Sequence, residues 1–243
     1  MSGRRVAIVT GGGYGIGRAT CRLLAEDGWS IVTFDVNAEH NAETVAELRA
    51  LGADVRGLVG DVAQPEAAEA ACALAEADGR SLKALVNCAA MRHAGTITDI
   101  TPEQWLETVG VCLHGTAFFC RAAIRRMKAN GGGSIVNFSS GDATGRKGMI
   151  AYASAKAAVE ILTRCLAVDH LHDGIRVNAV IPPFTVTGMT EHYAPERLAV
   201  MDANSPSGHA ARPSDIAKIV RFLVSDESAT FTAGLYGGVL PSR

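Results

Sequence analysis

Tyr152 and Lys156 stand four residues apart in Tyr-Ala-Ser-Ala-Lys, a spacing that puts a phenol and an ammonium on one face of a helix. Spacing alone says little, because Tyr14 and Tyr193 also have an arginine four positions on, Arg18 and Arg197. Context separates Tyr152: it opens an alanine-rich helical stretch shortly after a β-rich run that ends Asn137-Phe-Ser139-Ser140. A hydroxyl at a strand end and a phenol at the start of the following helix can converge on the edge of a sheet. The chemistry that suits them is proton exchange with an alcohol oxygen while hydride leaves or joins the carbon. A free phenol, with a pKa of about 10, is too weak a base near neutrality. An ammonium about 4 Å away, at an effective dielectric of about 20, favours phenolate by about 4 kcal/mol before desolvation subtracts from it. Ser140 would then hold the substrate oxygen and stabilise the charge developing there.

Hydride needs a carrier, and the amino-terminal segment suits one. A strand runs into Thr10-Gly-Gly-Gly-Tyr-Gly-Ile-Gly17, with Gly11, Gly15 and Gly17 spaced Gly-x-x-x-Gly-x-Gly, and then into a helix. Such a turn brings backbone amides and the positive end of a helix dipole to a pyrophosphate. The second strand ends at Asp35, 18 residues after Gly17, where a carboxylate accepts hydrogen bonds from adenosine ribose hydroxyls and repels a 2′-phosphate. Val36, Asn37 and Ala38 follow without a basic residue, so the expected cofactor is NAD rather than NADP. Asp61-Val62 and Asn87-Cys-Ala89-Ala90 end the third and fourth strands and line the same crevice.

The elements that must position these groups alternate regularly. Short β-rich runs at 6–9, 30–34, 55–59, 82–87, 134–138 and 176–181 are separated by helical patterns at 16–27, 38–51, 65–78, 101–128 and 151–172. Asp35-Val-Asn37 opens one helix and Gly52 closes it; Pro65 suits a first helical turn; Thr101-Pro102-Glu-Gln104 reads as a capping box with proline at N1. Strand-helix-strand alternation predicts an α/β protein of the Rossmann type, a doubly wound parallel sheet with helices on both faces. No linker divides it, so residues 1–243 are expected to form one domain. The pattern loosens over 182–213, where Pro182, Pro183, Pro195 and Pro206 interrupt it, and this segment is expected to be a substrate-binding loop or lid.

Composition narrows the alternatives. The chain of 243 residues is 48% hydrophobic and 20% charged, which excludes a long disordered tail. Lys plus Arg is 23 and Asp plus Glu 25, with no run of five like charges, so no nucleic-acid footprint is present. No stretch is long and apolar enough for a membrane, and the start, Met-Ser-Gly-Arg-Arg, does not resemble a signal peptide. Six cysteines (Cys21, Cys72, Cys88, Cys112, Cys120, Cys165), none in Cys-x-x-Cys, read as buried thiols of a cytoplasmic protein. They share no zinc spacing with the histidines, and no metal is expected.

In these motifs the sequence resembles the short-chain dehydrogenase/reductase family over nearly its whole length: the glycine loop at 10–17, Asp61, Asn87, Ser140, Tyr-Ala-Ser-Ala-Lys at 152–156 and Arg-Val-Asn-Ala-Val at 176–180. The resemblance implies seven parallel strands, a homotetramer or homodimer, and a Ser-Tyr-Lys mechanism. It implies that Gly11, Tyr14, Gly15, Ile16 and Gly17 hold the pyrophosphate end, that Asp61 and Val62 contact adenine, and that Asn87 and Ala89 line the cofactor's path. Tyr152 and Lys156 would also touch the nicotinamide ribose, with Pro182, Thr185 and Thr187 around the carboxamide.

Four positions depart from the family pattern. Cys112 stands where asparagine is usual before Leu-x-Gly-Thr; it keeps the backbone carbonyl that would hold a water near the lysine but loses the amide. Pro183 replaces a glycine, Ala90 replaces another, and the terminal Asp-Gly-Gly is absent. A thiol nucleophile at Cys112 would need a base, and only His114 is near in sequence. Arg92, Arg146, Lys147, Glu191, His192 and Tyr193 are placed to rim the cleft, either as solvated charges or as contacts to an anionic or hydroxylated substrate. The reading is an NAD(H)-dependent oxidoreductase of secondary alcohols and ketones. Rival readings are a non-catalytic nucleotide-binding protein, and an epimerase or lyase on the same fold.

Overall fold

The computed structural model describes residues 4–187, 194–203 and 205–237. Seven strands, β1 (Arg5–Thr10), β2 (Ser30–Asp35), β3 (Val55–Val59), β4 (Ser81–Asn87), β5 (Gly133–Phe138), β6 (Ile175–Ile181) and β7 (Leu235–Gly237), form one parallel sheet in the order β3-β2-β1-β4-β5-β6-β7. The order reverses between β1 and β4, and a crevice opens there at the carboxyl ends of the strands.

Alternation along β1 shows why both faces must be covered. Val6 and Ile8 pack with α3 (Pro65–Glu76) and α5 (Thr116–Ala129), whereas Ala7 and Val9 pack with α1 (Gly15–Glu26), α2 (Ala38–Ala50) and α8 (Pro213–Val224). The long α6 (Ile150–Asp169) contributes Ala167 to the first of these layers. Phe34 and Phe119 meet edge to face, their centroids 5.1 Å apart.

The helix starts follow the expected chemistry. Asn37 caps α2 by accepting from the His40 amide (3.0 Å), and Thr101 and Gln104 form the capping box of α4 (Pro102–Val109). The pattern at 101–128, expected as one helix, is instead divided. Residues Gly110–Gly115 form a π-helical turn between α4 and α5, and a Cβ at Gly115 would lie 2.7 Å from Val62 Cγ2, so only glycine lets the turn approach the loop after β3. The helices expected to run to Asp78 and to His172 stop at Glu76 and Asp169 and finish in short 3-10 turns.

Two elements go beyond the periodic pattern. α8 begins at Pro213, and β7 is only three residues long, too short to show alternation. β7 pairs with β6, and the chain leading into it is anchored by side chains of the Arg-Val-Asn-Ala-Val motif. Arg176 donates to the carbonyls of Leu223 (2.9 Å) and Ser225 (3.1 Å), while Asn178 donates to Phe231 O (2.9 Å) and accepts from Gly234 N (3.0 Å). The segment expected to be an irregular lid contains α7 (Pro195–Ala203); Glu191, His192, Tyr193 and residues 238–243 lie outside the described residues. The six cysteines are not uniformly buried, because Cys88 is half-buried and Cys165 is exposed. Among the described residues no helix is long and apolar enough to cross a membrane, and no cluster of His, Cys, Asp and Glu could hold a metal ion.

Candidate active site

The crevice at the strand reversal is a cleft of about 820 Å³, within the range of about 300–1,000 Å³ usual for cofactor sites. The glycine loop forms one wall. Gly11 adopts a φ of +65°, and a Cβ there would meet Ala89 N at 2.9 Å; a Cβ at Gly17 would meet Gly11 O at 2.0 Å, so the turn closes only without side chains. Thr10 Oγ1 accepts from the amides of Cys88 (3.1 Å) and Ala89 (3.2 Å), tying the ends of β1 and β4 together. Helix α1 begins at Gly15 with no side-chain cap and no acidic residue in its first turn. Its leading amides and dipole are therefore suited to an anionic group, and the cradle fits the pyrophosphate of a dinucleotide.

Asp35 lies at the far end of this wall. Its two carboxylate oxygens accept one bond each, from Gly13 N and from Asn37 N, both at 2.9 Å. The charge is thus fixed to the loop and still lines the cleft. Tyr14 also lines the cleft and stacks on His40, with ring centroids 5.2 Å apart. Asp61 is exposed, held by the amide of Ala63 (2.9 Å), and Val62 beside it is buried. Leu106, Glu107, Gly110 and Val111 form part of the lining as well. These four belong to none of the motifs, and the sequence signal for them is Gly110, a glycine inside a helical pattern.

Tyr152 and Lys156 line this same cleft with Gly11 and Asp35. Both are buried, at 9% and 1% exposure, and Lys156 Nζ lies 5.7 Å from the centre of the Tyr152 ring. Nζ also donates to Phe138 O at 2.8 Å. Ser140 caps the short turn Gly141–Thr144, its Oγ accepting from the Asp142 amide at 3.2 Å. That bond occupies an oxygen lone pair and leaves the hydroxyl proton to be donated elsewhere.

Of the remaining expected cofactor contacts, Gly15, Ile16, Ala89, Pro182 and Thr187 line the cleft, and Gly17 lies behind the loop. Asn87 is directed elsewhere. It is 3% exposed, and its amide donates to Asn137 Oδ1 (2.9 Å), which it faces across β4 and β5; Asn137 in turn donates to Thr163 Oγ1 (3.0 Å). Its side chain ties the sheet to α6. Thr185 turns its hydroxyl back onto Pro183 O (2.8 Å), so the second proline braces the loop through its carbonyl.

Cys112 is fully buried within the π-helical turn and packs with Tyr152 and Ala155. Its Sγ donates to Met91 O (3.2 Å), and its own carbonyl accepts from Thr116 Oγ1 (2.9 Å). The turn beneath Tyr152 therefore forms with a thiol in place of an amide. His114 approaches the Phe118 ring, with centroids 6.1 Å apart. Burial also pushes the Cys88 thiol, which lines the cleft, up to about 12. Arg146 is paired with Asp142 at 3.0 Å, so its charge is met within its own turn; Lys147 is exposed. His93 bridges to Glu107 (2.8 Å).

A glycine-turned dinucleotide cleft that also holds a buried phenol and ammonium defines an oxidoreductase of the nicotinamide-dependent class. Comparison with known proteins agrees. The profile of a family described as enoyl-(acyl carrier protein) reductase matches residues 11–235. The chain is 38% identical to the cis-4-hydroxycyclohexanecarboxylate dehydrogenase of Sinomonas cyclohexanicum, over 95% of this chain and 92% of that one. It is 36% identical to the short-chain reductase protein NovJ of Streptomyces niveus, over 96% and 91%. The crystal structure of gox2181 superposes with a TM-score of 0.89 at 32% identity, covering 96% of this chain and 93% of that one. The protein belongs to the short-chain dehydrogenase/reductase family.

Proposed function

We propose that the protein exchanges hydride between NAD(H) and a small secondary alcohol or its ketone, with cyclic alcohols as the first class to test. The observation that carries this reading is that Tyr152 and Lys156 line the same cleft as Gly11 and Asp35. A bound nicotinamide supplies or accepts the hydride at the substrate carbon. Tyr152 exchanges the proton with the substrate oxygen, and Ser140 donates its free hydroxyl proton to the same oxygen. Lys156 holds the ribose hydroxyls, and its Nζ stands beside the Tyr152 ring, 5.7 Å from its centre. The glycine loop and the start of α1 hold the pyrophosphate, Pro182 and Thr187 flank the carboxamide, and the fixed carboxylate of Asp35 selects NAD by repelling a 2′-phosphate. The ring substrate named for the Sinomonas relative supports the choice of cyclic alcohols.

The chain works as a single domain, with the loop after β6 forming part of the substrate pocket, and as a homodimer or homotetramer. Its unpaired thiols suit the cytoplasm. The test is direct: titrate NADH and NADPH by fluorescence, then follow reduced nicotinamide absorbance with cyclohexanol, cyclopentanol and their ketones. Tight NADH binding without turnover on a broad carbonyl panel supports the non-catalytic reading, and product formation without net NADH change supports an epimerase or lyase.

A further inference from the structure

Next to the reactive groups lies a polar contact that the mechanism does not use. Ser139 Oγ donates to Glu160 Oε1 at 2.7 Å, with Lys156 O as a second acceptor at 3.2 Å. The Ser139 amide donates to Val180 O at 2.9 Å, which fixes the residue to β6. In the opposite direction, Lys156 Nζ donates to Phe138 O at 2.8 Å. Two consecutive residues at the end of β5 are therefore bonded reciprocally to two residues one turn apart on α6. Tyr152, Lys156 and Glu160 share one stripe of that helix, at i, i+4 and i+8.

We propose that Ser139 and Glu160 form a clamp that sets the register of α6 against the end of β5, making both of them positioning residues for the pair Tyr152 and Ser140. The inference rests on the catalytic reading given above. A helix that slips by one residue moves about 1.5 Å and turns about 100°, enough to take the phenol away from an oxygen held by Ser140. Ser140 directly follows Ser139 in the chain, so its place is inherited from the clamp. The clamp needs an acceptor at position 160 and a hydroxyl at 139, and it does not need the charge of Glu160. Displacements of about 1 Å in such a constellation cost on the order of a hundredfold in rate.

The experiment compares Ser139→Ala, Glu160→Ala, the double variant and Glu160→Gln in the full chain, with two readouts. The first is steady-state kinetics with NADH and a cyclic ketone that the wild type turns over. Each alanine variant is expected to lower kcat about 10- to 100-fold while KM for NADH stays within about twofold, and the double variant to be no worse than the poorer single one. Glu160→Gln is expected within about threefold of wild type, because its amide oxygen accepts the same bond. The second readout, deuterium uptake by peptides spanning 138–145, needs no substrate. Uptake is expected to rise at least fivefold in the alanine variants and to stay at the wild-type level in Glu160→Gln. Unchanged kcat in Ser139→Ala, a Gln variant as poor as the Ala variant, or unchanged uptake overturns the clamp. A wild type that turns over nothing overturns the catalytic reading instead, and the uptake measurement then decides on the clamp by itself.

Discussion

Lys156 Nζ donates to the carbonyl oxygen of Phe138 at 2.8 Å, from a residue that is only 1% exposed. A buried ammonium needs oxygen acceptors to offset its lost hydration, and the end of β5 supplies one just before Ser139 and Ser140. The bond fixes Nζ near the ring of Tyr152, 5.7 Å from its centre.

Tyr152→Phe keeps the ring that packs with Cys112 and Ala155 and removes only the hydroxyl. Turnover is expected to fall by about 10²- to 10⁴-fold, the usual contribution of a positioned acid or base, with NADH affinity unchanged in a fluorescence titration. Near wild-type turnover refutes the role given to the phenol.

The Asp35 carboxylate is held by two backbone amides, and the proposal that its charge selects NAD is tested by removing it. Asp35→Ser removes the charge from the cleft and shortens the side chain. The ratio of kcat/KM for NADP to that for NAD is expected to rise by about 10- to 100-fold, as a like charge a few ångströms away would cost. An unchanged ratio shows that selection lies elsewhere in the cleft.

Arg146 is engaged by Asp142, and this argues against the substrate-anion role its position in the sequence suggested. Arg146→Ala is expected to change KM for carboxylate-bearing and neutral ketones equally, within about twofold. The pair is partly exposed and worth about 0.2–1 kcal/mol, so Tm should fall by less than about 3 °C. A tenfold rise in KM confined to the anionic ketone restores the substrate role.

The thiols should react in two groups. Cys165 is exposed on α6, whereas Cys21, Cys72 and Cys120 are buried, and burial raises the thiols of Cys72 and Cys120 to about 12. A thiol-reactive chromophore added to native protein is expected to give one fast equivalent, which Cys165→Ser abolishes. Cys88, in the cleft wall, should react slowly and be shielded by NADH. Several fast equivalents without NADH protection contradict this burial pattern.

Asp173 accepts from His170 (2.8 Å) and Lys128 (2.9 Å), linking the ends of α5 and α6. The hydrogen bond from His170, then that from Lys128, holds its carboxyl below the usual range. A folded pKa below the unfolded one adds stability that is complete above the ordinary carboxylate range and is lost as pH falls through the depressed value. The Tm difference between wild type and Asp173→Asn should therefore be present at neutral pH and close once the pH has fallen below the depressed carboxyl value. A difference that persists in acid strong enough to protonate every carboxylate refutes the link.

The sequence by itself determined what depends on near neighbours. Helix starts at Asn37 and Thr101, the glycine turn, an acid at the end of the second strand, and a phenol and ammonium on one helical face all follow from spacings within a few residues. Periodicity then gave the layers, because a strand apolar on both sides must be covered on both. The tertiary structure decided which side chain meets which across the sheet. Asn87 carries the family spacing, yet its amide is taken by Asn137 on β5; Arg146 meets Asp142; Cys112 finds Met91 O, 21 residues away; and Ser139 finds Glu160. β7 is too brief to show a period, and the chain leading into it is anchored by Arg176 and Asn178 from β6. Spacing fixes the face on which a residue lies, whereas its partner is fixed by the strand order and the packing of helices far apart in the chain.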